Sequence, residues 1–364
     1  MQEHNGQIEQ ETQRRTVYTV YGQKTDEVKA IQHFLEQAGL IVFDKENAVE
    51  LVQTAAPFRE EELAAAFKHA KAVIVFLTGE EKARLCKTFQ QKYDQDFEKI
   101  YSPQPTPEQL FEAGYAFGMF PKRTILVQIG EVRPFSDIAG RHILHFTGTN
   151  EDYYVLRTRL TIAGCLTNPD LAGHTGPLSE KDHQHSLQPD PQKVFVIHGR
   201  NLQAKSAMFA FLRALSLEPI DWDHAVALAR SSSPHAENSP YTGETIIAGI
   251  DRAQAIIALL TGDDLVQIEQ LGAIGKPLIY SQARPNVLFE TGIARGRCPQ
   301  RTILVQMGEV RSCRDIEGRT MISLTNSSSV RWSLIDRLRM AGCPVYCAGN
   351  WHSSGNFKVV PCLA

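Results

Sequence analysis

No apolar run in this sequence approaches the roughly 20 residues that cross a bilayer, so a membrane-spanning helix is not expected. Residues 1–15 are polar and lack the apolar core of a secretion signal, and the expected location is cytoplasmic. Charge of one sign is missing too. Lys and Arg number 38 against 41 Asp and Glu, giving a net charge of -3, which argues against broad binding to nucleic acid or to an anionic membrane. There is no Walker phosphate loop, no GxGxxG and no Gly-x-Ser-x-Gly elbow, which removes the common kinases, dehydrogenases and esterases. Cysteines are few, odd in number at 7, and scattered, a pattern that fits reduced thiols better than a disulfide framework. Cys343, Cys347, His352 and Cys362 are the sole candidates for a zinc cluster. Their spacing matches no standard knuckle, so no metal is expected. His183 and His185 read as solvated residues of a linker.

What is present is a repeat. Thr124-Ile125-Leu126-Val127-Gln128-Ile129-Gly130-Glu131-Val132-Arg133 returns as Thr302-Ile303-Leu304-Val305-Gln306-Met307-Gly308-Glu309-Val310-Arg311, 178 residues later. Pro107-x-x-Leu110-Phe111-Glu112-x-Gly114 returns as Pro285-x-x-Leu288-Phe289-Glu290-x-Gly292 with the same shift, and Gly164-Cys165 returns at Gly342-Cys343. Tyr21-Gly22 matches His198-Gly199 at a shift of 177, and residues 72–79 match 255–262 at 183. A period this long is a duplicated domain rather than a solenoid. Residues 16–166 and 193–345 form the two copies, 167–192 a Pro/Gly/His-rich linker, and 346–364 an irregular tail.

Each copy alternates strand and helix. In the second, 194–198 is an apolar run suited to a buried parallel strand. Asn201 can cap a helix to about Leu215, carrying Ala204, Met208, Phe211 and Leu215 at helical spacing. A short strand at 218–221, a polar loop to Tyr241, a helix at 242–253 that Gly243-Glu244-Thr245 opens, and a buried strand at 255–260 follow. Beyond the Glu290 helix come strands at 302–306 and 320–323 and a helix at 330–341. The first copy runs similarly, with an extra polar helix at 80–93. Such alternation gives an α/β sandwich on a parallel sheet, with the ligand site at the carboxyl ends of the strands.

Three stretches should meet at that edge. His198-Gly199-Arg200-Asn201 ends one strand ahead of a helix N-terminus that favours an anion. Thr261-Gly262-Asp263 ends another. The helix opened by Arg284-Pro285-Asn286 sets Glu290 among apolar neighbours, where a carboxylate is costly unless a partner meets it. Structural readings stand beside these: Glu290 as an ion-pair or dipole partner, His198 as a core histidine, and Asn286 as a turn residue.

Residues 193–345 resemble the TIR-like domain of bacterial anti-phage effectors, the family of the CBASS and Pycsar effectors. Val194 to Gly199, Gly243 to Ile247, Ala255 to Thr261 and above all Arg284-Pro285-Asn286-Val287-Leu288-Phe289-Glu290-Thr291-Gly292 carry the resemblance. It implies a flavodoxin-like fold in tandem, cleavage of NAD+ at the nicotinamide–ribose bond with NAD+ as substrate and no further cofactor, and Glu290 as catalytic residue. His198, Gly199, Arg200, Asn201, Arg284 and Asn286 would then bind the substrate, with Arg200 or Arg284 on the pyrophosphate. Residues 222–241 fall where TIR domains carry a loop that gates the site and mediates assembly. Self-association and a separate sensor or activator protein are the partners implied. The first copy keeps Glu112, a secondary catalytic candidate, but has Thr106 and Glu108 in place of Arg284 and Asn286, so an impaired or regulatory role is expected. A non-catalytic module that binds a nucleotide or assembles, and a base-exchange or deoxyribosyltransferase enzyme, are the alternatives.

Overall fold

The computed structural model describes residues 12–52, 54–166, 188–232, 240–271 and 277–362; His183 and His185 lie outside them. The first half runs β1 (Thr16–Val20), α1 (Asp26–Gln37), β2 (Ile41–Phe43), α2 (Arg59–His69), β3 (Ala72–Thr78), β4 (Glu81–Leu85), α3 (Asp96–Lys99), β5 (Ser102–Gln104), α4 (Pro107–Met119), β6 (Thr124–Ile129), β7 (Leu144–Phe146) and α5 (Asn150–Ile162). The second runs β8 (Asp190–His198), α6 (Leu202–Ala214), β9 (Glu218–Ile220), α7 (Trp222–Ser232), α8 (Thr242–Arg252), β10 (Ala253–Thr261), β11 (Asp264–Leu271), β12 (Pro277–Gln282), α9 (Pro285–Arg297), β13 (Thr302–Met307), β14 (Ile322–Ser323) and α10 (Ser328–Met340). Two five-stranded sheets, β2-β1-β3-β6-β7 and β14-β13-β10-β8-β9, have the same order when the halves are matched. Their paired strands are parallel throughout. The seven residues of the central β3 are all buried, as an apolar strand covered by helices on both faces must be.

The halves are joined in two ways that local periodicity does not announce. β4 pairs antiparallel with β11 of the other half, Ala83 opposite Val266 and Leu85 opposite Asp264, inside a four-stranded sheet β12-β11-β4-β5. This corrects the helix expected at 80–93. Glu81, Ala83 and Leu85 are buried while Lys82 between them is exposed, a period of two that marks a strand, and its partner lies in the distant copy. The second joint is helix on helix. A Cβ at Gly114 or Gly118 would strike the backbone carbonyls of Phe289 or Ile293, and one at Gly292 or Gly296 those of Phe111 or Tyr115. Both α4 and α9 thus carry Gly-x-x-x-Gly on the contact face, which lets the two backbones touch.

Two further corrections concern residues 222–232 and the cysteines. Residues 222–232 are helical, not loop: Ala225 and Ala229, one turn apart, are buried, and Asp221 Oδ1 accepts from His224 N. The rest of that expected loop, 233–239, lies outside the described residues. The tail is irregular yet packed, with Trp351 and Phe357 buried and the buried Arg331 donating to the carbonyls of Trp351, Ser354 and Gly355. Cys362 forms a disulfide with Cys86 of the first half, against the expectation of reduced thiols throughout. That pairing also takes Cys362 from the candidate zinc set, and no metal-holding group of three or more His, Cys, Asp or Glu occurs among the described residues. The bond closes a sequence separation of 276, and chain-entropy arguments give such a crosslink about 5–6 kcal/mol. Reduction with a dithiol, or Cys86→Ser, is therefore expected to lower the melting temperature by about 5–10 °C. An unchanged melting curve would show that the crosslink contributes nothing.

Candidate active site

Arg284 is the extended residue before α9, and Pro285 takes the first helical position, where its missing N–H is not needed. The helix then carries Glu290 to a cavity of ≈ 450 Å³, inside the size range of small-ligand sites. Its walls come from both halves: Phe97, Glu98, Pro134, Phe135, Ser136 and Ala139 from the first, and His198, Gly199, Arg200, Arg284, Asn286 and Glu290 from the second. The sequence places this crevice within the second copy; in the structure it lies between the two.

The Glu290 carboxyl is coupled to that of Asp137, a buried residue of the first half whose Oδ2 has no hydrogen-bond donor among the described residues. Burial, and then the charge of Asp137, push the Glu290 carboxyl well above the ordinary range. Burial also lifts Asp137 to about 6, against hydrogen bonds from Asn286 and Ser136 that favour its ionised form. Asn286 Nδ2 donates to Asp137 Oδ1 at 2.6 Å and to Ser136 Oγ at 2.5 Å. The pair thus shares one proton and holds one negative charge between its two carboxyls. Both groups bind protons more tightly folded than unfolded, so stability is fullest below pH ~4 and is lost as pH rises through the folded values. Glu290→Gln should flatten that decline between pH 6 and pH 9. Parallel stability profiles for variant and wild type would contradict the shared-proton assignment.

The other expected residues gather here, several in unexpected roles. Arg284 does not face the cavity as a free cation. It donates to Glu98 at 2.8 and 2.6 Å and stands 3.5 Å from Asp264. The wholly buried Arg133 contacts Glu98 and lies 2.7 Å from Asp264. Burial works against ionisation of Glu98, but the two guanidinium groups outweigh it and hold the carboxyl down at about 2. The anion position at the start of α6 is filled by the protein itself: Asp263 accepts from the backbone N–H groups of Arg200 and Asn201. Burial and the neighbouring Asp264 raise Asp263 to about 6. A Cβ at Gly199 would meet the Asp263 carboxylate, so glycine there serves this internal cap. Asn201 caps α6 through Ala204 N at 3.0 Å. The His198 ring bonds its neighbour, Nδ1 to the Gly199 carbonyl at 2.9 Å, and burial lowers its pKa. The Arg200 side chain is one-third exposed and paired with Asp94 at 3.1 Å.

The first half builds the mirror of this arrangement with a different outcome. Glu112 and Asp315 stand where Glu290 and Asp137 stand, but Arg59 reaches Glu112 at 3.1 Å, Asp315 at 3.5 Å and Glu62 at 2.8 Å. Thr242 occupies the position matching Arg59 in the second copy, since Glu61 and Glu244 cap the two helices alike. The guanidinium neutralises the acid it covers. Among the described residues no arginine is bonded to Glu290.

Asp137 was not singled out from the sequence, although a signal was there. The repeated Gly-Glu-Val-Arg string continues as Asp137-Ile138-x-Gly140-Arg141 and Asp315-Ile316-x-Gly318-Arg319 at the same 178-residue shift. Asp263 lies in the Thr261-Gly262-Asp263 strand end named above, whereas Glu98 carried no such mark.

No curated protein matches the chain. The family model described as CAP12/Pycsar effector protein, TIR domain, matches residues 16–148 and again residues 193–326, more than half of the chain. Two parallel sheets of the same strand order, each half completing the other's crevice, agree with that double match. The chain belongs to the CAP12/Pycsar effector TIR-domain family and carries the domain twice, in tandem.

Proposed function

We propose that this protein is an NAD+ glycohydrolase, an anti-phage effector that depletes NAD+ by cleaving the nicotinamide–ribose bond at Glu290. The observation that carries this reading is Glu290, which lines a nucleotide-sized cavity with the buried Asp137 coupled to it and no guanidinium bonded to it among the described residues, whereas its counterpart Glu112 is covered by Arg59.

The chemistry asks for little else. Nicotinamide departs neutral, taking the C–N bonding pair, and the positive charge of the pyridinium passes to the ribose. The single negative charge of the acid pair offsets that developing cation, and its oxygens can hydrogen-bond the ribose hydroxyls. Water then bonds to the anomeric carbon and gives up a proton to the pair. Asn286 fixes Asp137, and so the pair, in place. Arg200 lines the cavity and is the residue for the pyrophosphate, because among the described residues Asp94 is its one acid partner. Arg284 instead holds the wall through Glu98. In this reading the first half is a scaffold that supplies Asp137, and self-assembly or a separate activator gives the substrate access past residues 94–98.

The test is nicotinamide release from NAD+, by the purified chain and in expressing cells before and after phage challenge. Nicotinamide with ADP-ribose or its cyclised form supports the proposal. Products that appear only when free bases or deoxynucleosides are added would assign base exchange or deoxyribosyl transfer. Binding without turnover in both settings would leave a non-catalytic module.

A further inference from the structure

A cavity of ≈ 490 Å³ lies on the far side of the loop that delivers Asp137, walled by Phe117, Lys122, Arg141, His142, Arg159 and Tyr241 among others. None of its described lining residues is a carboxylate. Arg141 is only half-buried yet lies over the Phe117 ring at 4.4 Å, and no hydrogen bond or ion pair from its guanidinium to a described carboxylate occurs. Burial lowers its pKa, partly countered by the charges of Asp137 and Glu244. Arg159 spends one N–H on the His142 carbonyl, 2.6 Å away.

The duplicated half shows what an occupied version looks like. There Arg319 and Arg295 converge on one buried acid, Glu60, at 3.0 and 2.6 Å. With the caps of α2 and α8 matched, Glu60 corresponds to Gly243. A Cβ at Gly243 would lie 2.5 Å from Arg141 Nη2. At this cavity the internal anion has therefore been replaced by Gly243 and one of its two cations by Phe117, which matches Arg295, while Arg141 of the first copy remains. A guanidinium half-withdrawn from water with no described carboxylate bonded to it invites an anion from outside.

We propose that this cavity binds the phosphate of a nucleotide-sized ligand, with Arg141 and Arg159 as the cations and Tyr241, which is largely exposed at the rim, as the surface for a planar ring. Phosphate is the class that suits paired guanidinium forks, and the volume exceeds what an inorganic ion needs.

The experiment is calorimetry and thermal shift on the full chain with pyrophosphate, ATP and uncharged adenosine as probes. Binding of the two anions, weakening with salt, and none of adenosine is expected. Arg141→Gln should weaken binding at least tenfold. Gly243→Glu should do the same by restoring the internal ion pair, in a protein that melts no lower than wild type, which separates loss of the site from loss of the fold. ATP binding tighter than pyrophosphate assigns a nucleotide; equal affinity assigns free phosphates, and either supports the shared chemistry. Glu290→Gln should leave this binding unchanged, so failure of the NAD+ reading and failure of this one are distinguishable. Absence of binding by both anions, or affinity unaltered in both cavity variants, would overturn the proposal.

Discussion

Glu290→Gln is expected to cut nicotinamide release by about 10²–10³-fold, the scale of removing one well-placed electrostatic group, while Glu112→Gln leaves it within about threefold. The glutamine keeps the shape and can still donate to Asp137, but it cannot carry charge toward the ribose or accept the proton of the attacking water. Because burial and the charge of Asp137 disfavour an ionised Glu290, its removal relieves a cost to the folded state. The inactive variant should therefore be at least as stable as wild type above neutral pH, which excludes unfolding as the cause of its inactivity. Glu112 sits in the mirror position but under Arg59 at 3.1 Å; its replacement frees a guanidinium that still has Glu62 and Asp315. Equal activity in the two variants would remove the assignment.

Gly292→Val is expected to cost 3 kcal/mol or more, at or beyond the upper end of the roughly 1–3 kcal/mol typical of overpacked sites. The added side chain would meet backbone, the Phe111 carbonyl and the Tyr115 N–H, and not a flexible side chain that could move aside. The only relief is to part α4 from α9, and this axis also carries Phe289 against Phe117 at 5.8 Å between ring centres. Thermal or urea unfolding reads the effect. We expect a lower midpoint and a single transition splitting in two as the halves uncouple, with nicotinamide release lost because Asp137 no longer reaches Glu290. Gly292→Ala, whose methyl meets the same carbonyl, should lie between. A melting temperature for the alanine variant within a degree of wild type would contradict close backbone packing.

The elements within each half were legible because each depends on its own residues: apolar runs for buried strands, Asn201 and Pro285 for helix starts, and one frame repeated at a fixed shift. What escaped is almost wholly contact between the halves. Residues 81–85 read as polar because alternation of Glu, Lys and Arg with Ala and Leu has meaning only once β11 lies alongside. The Cys86–Cys362 bond joins residues 276 apart in the chain, and neither neighbourhood hints at it. Glu290 was found from its setting on the helix. Its partner Asp137, the screening of Glu112 by Arg59 and the binding of Arg284 by Glu98 each require knowing which loop folds over which crevice. Arg284 shows the limit best. A cation at the mouth of a crevice suggests a phosphate ligand, yet two buried acids already claim it.

The most direct test of a single site built jointly by both halves is nicotinamide release from NAD+ by Asp137→Asn set against Asp315→Asn. Asp137 belongs to the half without the uncovered glutamate, and by sequence alone its loss should be harmless. The structure predicts a fall of about 10²-fold or more for Asp137→Asn and near wild-type release for Asp315→Asn. Full activity in Asp137→Asn, or the same fall in both, would contradict it.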